Sequence, residues 1–339
     1  MCNDPLIGIL VNRAKPIEEL KQAANLNVRL FLFRPKDINW EEKMIKGLLL
    51  KNDHFESKNL PFPESVYVRC YTASKTLSKQ LEKIIGKGKV FNCVTRFDKW
   101  KVYQILKKSA VRHFLPDTQR YSQQDFLECL NRYRTILVKP RKSDLGKGIY
   151  RIEKIAHHGF NIYDYTVKPA YSPTNEKELL EKLEELTGGK KRFILQEFIH
   201  ADRIGDRIYD IRILVQKNGF GQWETSGGFG RVSNKMVYKT NYAAELMTLD
   251  NLVHADNHLT YTRLSMIKSI AISAAMALER GYGHLGDISV DFYLDIRGRP
   301  WILEANGKTQ KKTVKLIDDE QLISDTYLKP IEYARFLAQ

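Results

Sequence analysis

Short apolar runs alternate with amphipathic stretches over the first ninety residues. Residues 6–11 (LIGILV) and 28–33 (VRLFLF) read as buried strands, with a helical stretch at 17–24 between them. Residues 66–69 make a third short strand, 76–85 a helix and 90–92 one more strand. Strand–helix alternation of this kind predicts a parallel α/β layer. A helix over 98–108 follows, with Asp98 placed as its N-cap.

From there the pattern changes. Residues 134–140 (RTILVKP) form a strand that ends on Lys139-Pro140, and a polar, glycine-containing loop occupies 141–148. Strands are expected at 149–155 and 163–167, then an amphipathic helix at 175–186 closed by Gly188-Gly189. Residues 193–199 (FILQEFI), 210–216, 222–225 and 235–238 read as antiparallel strands. The best helix spans 263–280, with Ile267, Ile270, Ala271, Ala274 and Leu278 on one face. Two strands, 288–294 and 300–304, form a hairpin across the turn 295–299. The expected class is therefore an α/β layer followed by an α+β region, cut near residues 92 and 192. That gives domains at 1–92, 93–192 and 193–339.

Composition narrows the function classes. The 339 residues suffice for two to three domains with real cores. The longest apolar stretch, around 271–278, falls far short of the about 20 residues a membrane span needs. The start, Met1-Cys2-Asn3-Asp4-Pro5, has no basic segment followed by an apolar one, so no secretory signal is expected. Cys2, Cys70, Cys93 and Cys129 lie far apart, which suits a reducing cytoplasm better than a zinc ribbon or a disulfide scaffold.

Charge is uneven. The chain carries 55 basic and 40 acidic residues, a formal +15. Residues 1–150 hold 29 Lys/Arg against 15 Asp/Glu, and the remainder 26 against 25. A basic half invites an anionic partner, whether a phosphorylated ligand, a carboxylate-rich substrate or an acidic surface, or is simply a solvated face that keeps the chain soluble. The lysines are scattered singly and no RNA-binding or zinc-finger signature accompanies them, so nucleic acid is not expected.

Three motif matches fail on context. Gly281-Tyr282-Gly283-His284-Leu285-Gly286 fits the dinucleotide fingerprint by letters, but a helix precedes it and a strand follows, which reads as a helix C-cap and a turn. Gly146-Lys147 lacks the earlier glycine and the Ser/Thr of a P-loop. His254 and His258 have the spacing of a metal pair without the intervening Glu of a zincin, and read as surface residues. What survives is a constellation. Asp291 lies in one strand of the late hairpin, and Glu304-Ala305-Asn306 ends the other. These oxygen-only ligands suit Mg²⁺ beside phosphates. Lys139, with a loop carrying Ser143, Gly146 and Gly148, can hold phosphates or simply be solvated. Gln196-Glu197-Phe198-Ile199 can read an adenine edge or be an ordinary edge strand.

The order of these signals resembles the ATP-grasp superfamily, and more closely the YheC/YheD family of endospore coat-associated proteins. The resemblance is carried by Phe97-Asp98-Lys99-Trp100-Lys101-Val102-Tyr103 and Leu115-Pro116-Asp117-Thr118. It continues through Asp210-Ile211-Arg212-Ile213-Leu214-Val215-Gln216-Lys217, Trp223 and Arg231-Val232, to Gly298-Arg299-Pro300-Trp301-Ile302-Leu303-Glu304-Ala305-Asn306. It implies an ATP-grasp fold behind an N-terminal α/β (pre-ATP-grasp-like) domain. It also implies Lys99 and Lys139 on ATP phosphates, Gln196, Glu197 and Ile199 at adenine, and Asp210 on the ribose. Arg212 and Arg231 would serve catalysis at the phosphate or acyl-phosphate, and Asp291, Glu304 and Asn306 would bind Mg²⁺. Departures fall at Asn241-Tyr242-Ala243-Ala244, in the substrate-side loop, and at Gly307-Lys308-Thr309; neither touches a metal or phosphate position.

The expected activity is an ATP-dependent carboxylate–amine (or thiol) ligase working through an acyl-phosphate, with the loop 141–148 as a lid. The implied cofactors are ATP and Mg²⁺, and the partners are a small-molecule or peptide carboxylate, an amine and an anionic spore-coat surface. The implied location is cytoplasmic with coat association. A coat protein that keeps the scaffold without catalysis, and a kinase that stops at phosphorylation, are the alternatives.

Overall fold

The apolar and polar positions sort into three sheets. The computed structural model describes residues 4–71, 75–143, 146–156, 159–189, 192–240 and 243–339. Cys2 and the first residues of the chain lie outside them, as do 144 and 145 of the loop and 241 and 242.

In the first sheet Leu6–Leu10 is flanked in parallel by Arg29–Phe33 and Ser65–Val68, and Val90–Phe91 adds in parallel beyond Ser65–Val68. These strands are buried on both faces, which is why they read as unbroken apolar runs. The helical stretch after the first strand is a 3₁₀ segment, Glu18–Leu26. An antiparallel hairpin, Met44–Lys51 with His54–Pro61, extends the sheet where the sequence pattern indicated nothing. Its turn residues Asn52 and Asp53 have φ of 46° and 62°, the left-handed pair that matches strand twist in a two-residue hairpin.

The last helix, Glu320–Ala338, returns to this sheet although it carries Pro330. Its Tyr327, Ile331, Tyr333 and Ala334 pack with Ile7, Ile9, Tyr67 and Phe91. Ser65 Oγ donates to the Ala334 carbonyl at 2.7 Å. Asn92, buried at φ 58°, accepts from Gly286 N at 2.7 Å and donates to the Asp287 carbonyl at 2.5 Å. The end of the first sheet is thereby stitched to the third.

The middle sheet runs Gly159–Tyr163, Tyr150–Ile155, Thr135–Pro140, Phe193–Glu197, Thr118–Arg120, all antiparallel. Helices Gln123–Tyr133 and Glu176–Thr187 pack on it through Phe126, Leu130, Leu179 and Leu183. Asn175 caps the second helix, and Gly188 ends it in the left-handed conformation. The strand expected at 163–167 lies earlier, at Gly159–Tyr163, because Pro169 and Pro173 leave the downstream segment without a ladder. The strand expected at 235–238 is absent: Val237 makes only an isolated bridge to Thr166.

The third sheet is antiparallel in the order Ala243–Thr248, Trp223–Ser233, Arg207–Lys217, Asp287–Leu294, Pro300–Asn306. Period-two alternation divides its faces. Ile211, Ile213, Val215, Ile288, Val290 and Phe292 pack against helix Tyr261–Tyr282. Asp210, Arg212, Ser289 and Asp291 must then project from the opposite face. Trp223–Ser233 is far longer than the four residues expected, because glycines hid it: a Cβ on Gly228 would sit 2.4 Å from the Arg212 carbonyl oxygen. Helix Tyr261–Tyr282 ends at Gly283, in keeping with a C-cap for the 281–286 stretch.

Candidate active site

Helix Lys99–Lys107 begins at the mouth of the cleft between the middle and third sheets. Asp98 accepts from Trp100 N at 3.0 Å and Lys101 N at 3.2 Å, as an N-cap should. The same carboxylate takes the Arg141 guanidinium, with Nη2 at 2.8 Å, and Lys99 N donates to the Arg141 carbonyl at 2.9 Å. The root of the 141–148 loop is thus pinned to the helix start. Asp98→Ala is expected to cost about 1–2 kcal/mol in urea unfolding through the lost cap. Asp98→Asn should recover the cap's share and leave Arg141 unpaired. Equal stability of wild type and Asp98→Ala would show that the cap carries no weight.

The cleft is lined by Lys99, Lys139, Gln196, Glu197, Ile199, Asp210, Arg231, Asp291 and Glu304, all singled out in the sequence. Arg212 and Asn306 line the adjoining space, which shares Lys99, Arg231 and Glu304 with the cleft. All eleven residues therefore gather in one region.

At its base lies a buried charge network. Arg212 holds Asp291 through two bonds of 2.7 Å, and Arg231 holds Asp210 at 2.7 and 2.6 Å. Arg231 also donates to Asp291 at 3.0 Å, and Thr240 Oγ1 donates to Asp210. Burial works against ionising Asp291, but the two guanidinium groups hold its carboxyl below the usual range. In register, Asp291 pairs with both Arg212 and Glu304, and Ser289 pairs with Asn306. A bulge at Leu303 lets Leu303 and Glu304 both line the cleft. Asn306 Nδ2 is 3.5 Å from Asp291, and Ser289 Oγ is buried with no hydrogen-bond partner among the described residues. Asp291, Glu304 and Asn306 are thus an oxygen-only donor set on one face, with an unsatisfied hydroxyl beside them. That chemistry fits Mg²⁺.

Three lysines line the cleft. Lys99 pairs with Glu304 at 2.9 Å and reaches toward the Ser143 carbonyl at 3.4 Å. Lys139 donates to Gln196 Oε1 at 2.5 Å, and Gln196 donates to Thr118 Oγ1 at 2.9 Å. Burial pushes the Lys139 ammonium down to about 8, Lys99 and Lys239 add to this, and Glu304 opposes it. Lys239 was not foreseen. It too is buried, is pushed down to about 8 by burial, and lies 3.6 Å from Asp164. Tyr238 fixes its segment by donating to the carbonyls of Tyr163 at 2.9 Å and Asp164 at 2.5 Å. The available signal was the one that marked Lys139, a lysine just after a short apolar run.

At the far end, Glu197 accepts from Asp117 N at 3.2 Å, and Phe198 and Ile199 form an apolar wall with Leu137, Ile149 and Leu303. His254 and His258 do not face one another: His254 bonds the Asp250 carbonyl at 2.7 Å, and His258 bonds Asp202. Among the described residues Asp202, Asp256 and His258 do cluster. Asp256 is occupied by Tyr209 and by the backbone of His258 and Leu259.

A family model described as YheC/D like ATP-grasp matches residues 87–337. The chain belongs to that family. The endospore coat-associated protein YheD of Bacillus subtilis (strain 168) is 25% identical over 322 residues, covering 91% of this chain and 70% of YheD. Among solved structures, the ADP complex of N5-carboxyaminoimidazole synthetase from Staphylococcus aureus superposes with a TM-score of 0.58 at 10% identity, over 97% of this chain and 77% of that one. The VanG D-Ala:D-Ser ligase of Enterococcus faecalis gives 0.56 at 12% identity, over 98% and 99%. The YheC/D-like fold is therefore an ATP-grasp fold, with the first sheet included in the match. Among the described residues no helix is long and apolar enough to cross a membrane.

Proposed function

We propose that this YheC/D-like protein is an ATP-dependent carboxylate–amine (or thiol) ligase. The observation that carries the reading is the single cleft that joins an apolar wall, three lysines, paired arginines and an oxygen-only acidic set. In this reading adenine lies between Ile199, Leu137 and Leu303 near Gln196 and Glu197, and the triphosphate meets Lys139, Lys239 and Lys99. Asp210, committed to Arg231 and Thr240, serves the ribose only if those bonds rearrange. Glu304 and Asn306 would hold Mg²⁺, joined by Asp291 if its bonds to Arg212 and Arg231 rearrange, and the bound ion would supply screening of the phosphate charge.

The protein's share of the work is alignment and charge neutralisation. A carboxylate oxygen of the acid attacks the γ-phosphorus, and the bond to the β-bridging oxygen breaks to give ADP. The amine nitrogen then attacks the acyl carbon, phosphate leaves, and the nitrogen loses its proton to solvent. Arg212 and Arg231 sit where charge on the transferred phosphoryl group can be met, and the 141–148 loop excludes water from the acyl-phosphate. The similarity to YheD, an endospore coat-associated protein, extends the reading to association with the endospore coat.

The test is an assay with Mg²⁺, ATP and a panel of amino acids and short peptides. ADP and phosphate should appear only when acid and amine are both present, and hydroxylamine in place of the amine should trap a hydroxamate. A stable phosphorylated product would make it a kinase. AMP with pyrophosphate, or full turnover in EDTA, would overturn the mechanism. Nucleotide binding without turnover on any substrate would favour a binding role in the coat.

A further inference from the structure

A second, larger cavity of roughly 1370 Å³ lies between the first sheet and the segment after Asn306. Tyr71, Lys308 and Gln310 line both it and the space that holds Arg212, Arg231, Glu304 and Asn306, so the two adjoin. Its wall is cationic and aromatic. Arg69 donates to the Thr309 carbonyl at 3.2 Å and lies 5.7 Å from the Tyr67 ring centre. The Lys308 ammonium is 3.7 Å from the Tyr71 ring centre, and that of buried Lys311 is 4.9 Å from Tyr327.

The charge of these cations is only partly met: the ammonium of Lys311 donates to the Thr326 carbonyl and feels the Asp287 carboxylate, which Tyr67 already holds. Among the described residues no carboxylate lies within ion-pair distance of Arg69, Lys308 or Lys311, and Glu19 at the rim is taken by Lys315. Burial, with Arg69 adding repulsion, pushes Lys308 down to about 8 and holds Lys311 well below its usual value. Buried charges are normally paired, and unpaired ones with room beside them mark a place where opposite charge is supplied from outside.

We propose that this cavity holds the body of the carboxylate substrate, and that this substrate is a polyanion whose further anionic groups rest on Lys308, Arg69 and Lys311. The assignment rests on the ligase reading, which puts the reacting carboxylate at the arginine end. It also relocates the anion-binding charge: two of the three cations come from the near-neutral second half of the chain.

The experiment is calorimetric titration of the full chain, saturated with Mg²⁺ and ADP, with triglutamate and with triglycine. Triglutamate should bind at least tenfold more tightly, and Arg69→Gln and Lys311→Met should each weaken it at least fivefold without changing ADP affinity. If Lys311→Met does not fold, Lys308→Gln takes its place. Competition by inorganic triphosphate would identify the natural anions as phosphates, and its absence as carboxylates. Equal affinity for the two peptides, or triglutamate binding unchanged in the variants, overturns the proposal. Triglutamate binding together with no ATP turnover on any pair of the acid and amine panel would leave the cavity assignment standing and reject the ligase reading. Turnover on monoanionic acids with no preference for charge would do the reverse.

Discussion

Glu304→Gln is expected to lower Mg²⁺-dependent ATP turnover by about 10²–10³-fold, the scale seen when one group that stabilises transferred charge is removed. Glu304 emerges from the Leu303 bulge opposite Asp291, two residues before Asn306. The amide keeps the shape but loses the charge that suits a hard cation and balances Lys99. Stability should hardly move, since the Lys99–Glu304 pair is partly exposed and such pairs contribute about 0–1 kcal/mol. The assay is ADP release at saturating Mg²⁺, with a urea melt as the control for folding. Turnover within threefold of wild type would remove Glu304 from the chemistry.

Lys139→Met should have opposite effects on stability and on binding. Burial takes the ammonium from its usual 10.5 to about 8, a penalty of about 3 kcal/mol below pH 8, where the lysine is charged in both folded and unfolded chains. Between pH 8 and 10.5 the folded chain gives up this proton while the unfolded chain keeps it. Lys139's contribution to stability therefore rises with pH across that window. The variant should be more stable than wild type at pH 7 and lose that advantage by pH 10.5. ATP affinity should fall by about 1.5–3 kcal/mol, the range for a charge-assisted hydrogen bond. Phosphate also draws the lysine back to its charged form, so wild type should take up protons on binding ATP near pH 8. Calorimetry in buffers of different ionisation enthalpy reads that uptake. Unchanged ATP affinity in the variant would leave Lys139 a purely structural lysine.

Local chemistry made part of this site legible. Asp98 is a cap because its own next residues supply the donors, and Asp291, Glu304 and Asn306 meet because one hairpin carries all three. Lys239 was hidden because its position depends on Tyr238 bonding carbonyls more than seventy residues away. The cationic cavity was hidden for the same reason: Arg69 and Lys311 are separated by most of the chain, and only the fold brings them together. The hairpin 44–61 escaped because His54–Pro61 is polar along most of its length, with Leu60 its one buried residue. The last helix escaped because Pro330 breaks the expected rule for helix interiors.

That last helix also dictates the order in which the protein can assemble. Ile7, Ile9, Tyr67 and Phe91 belong to the first ninety residues, yet one of their faces is covered by residues 327–334. The link from Ser65 to Ala334 closes a span of 269 residues. Closing such a span instead of one of twenty residues costs about 2 kcal/mol more in chain entropy, and contacts this distant in sequence form late. Until they form, the first sheet stands with an apolar side open to water. Residues 6–91 thus make a layer whose apolar face is closed by the far end of the chain.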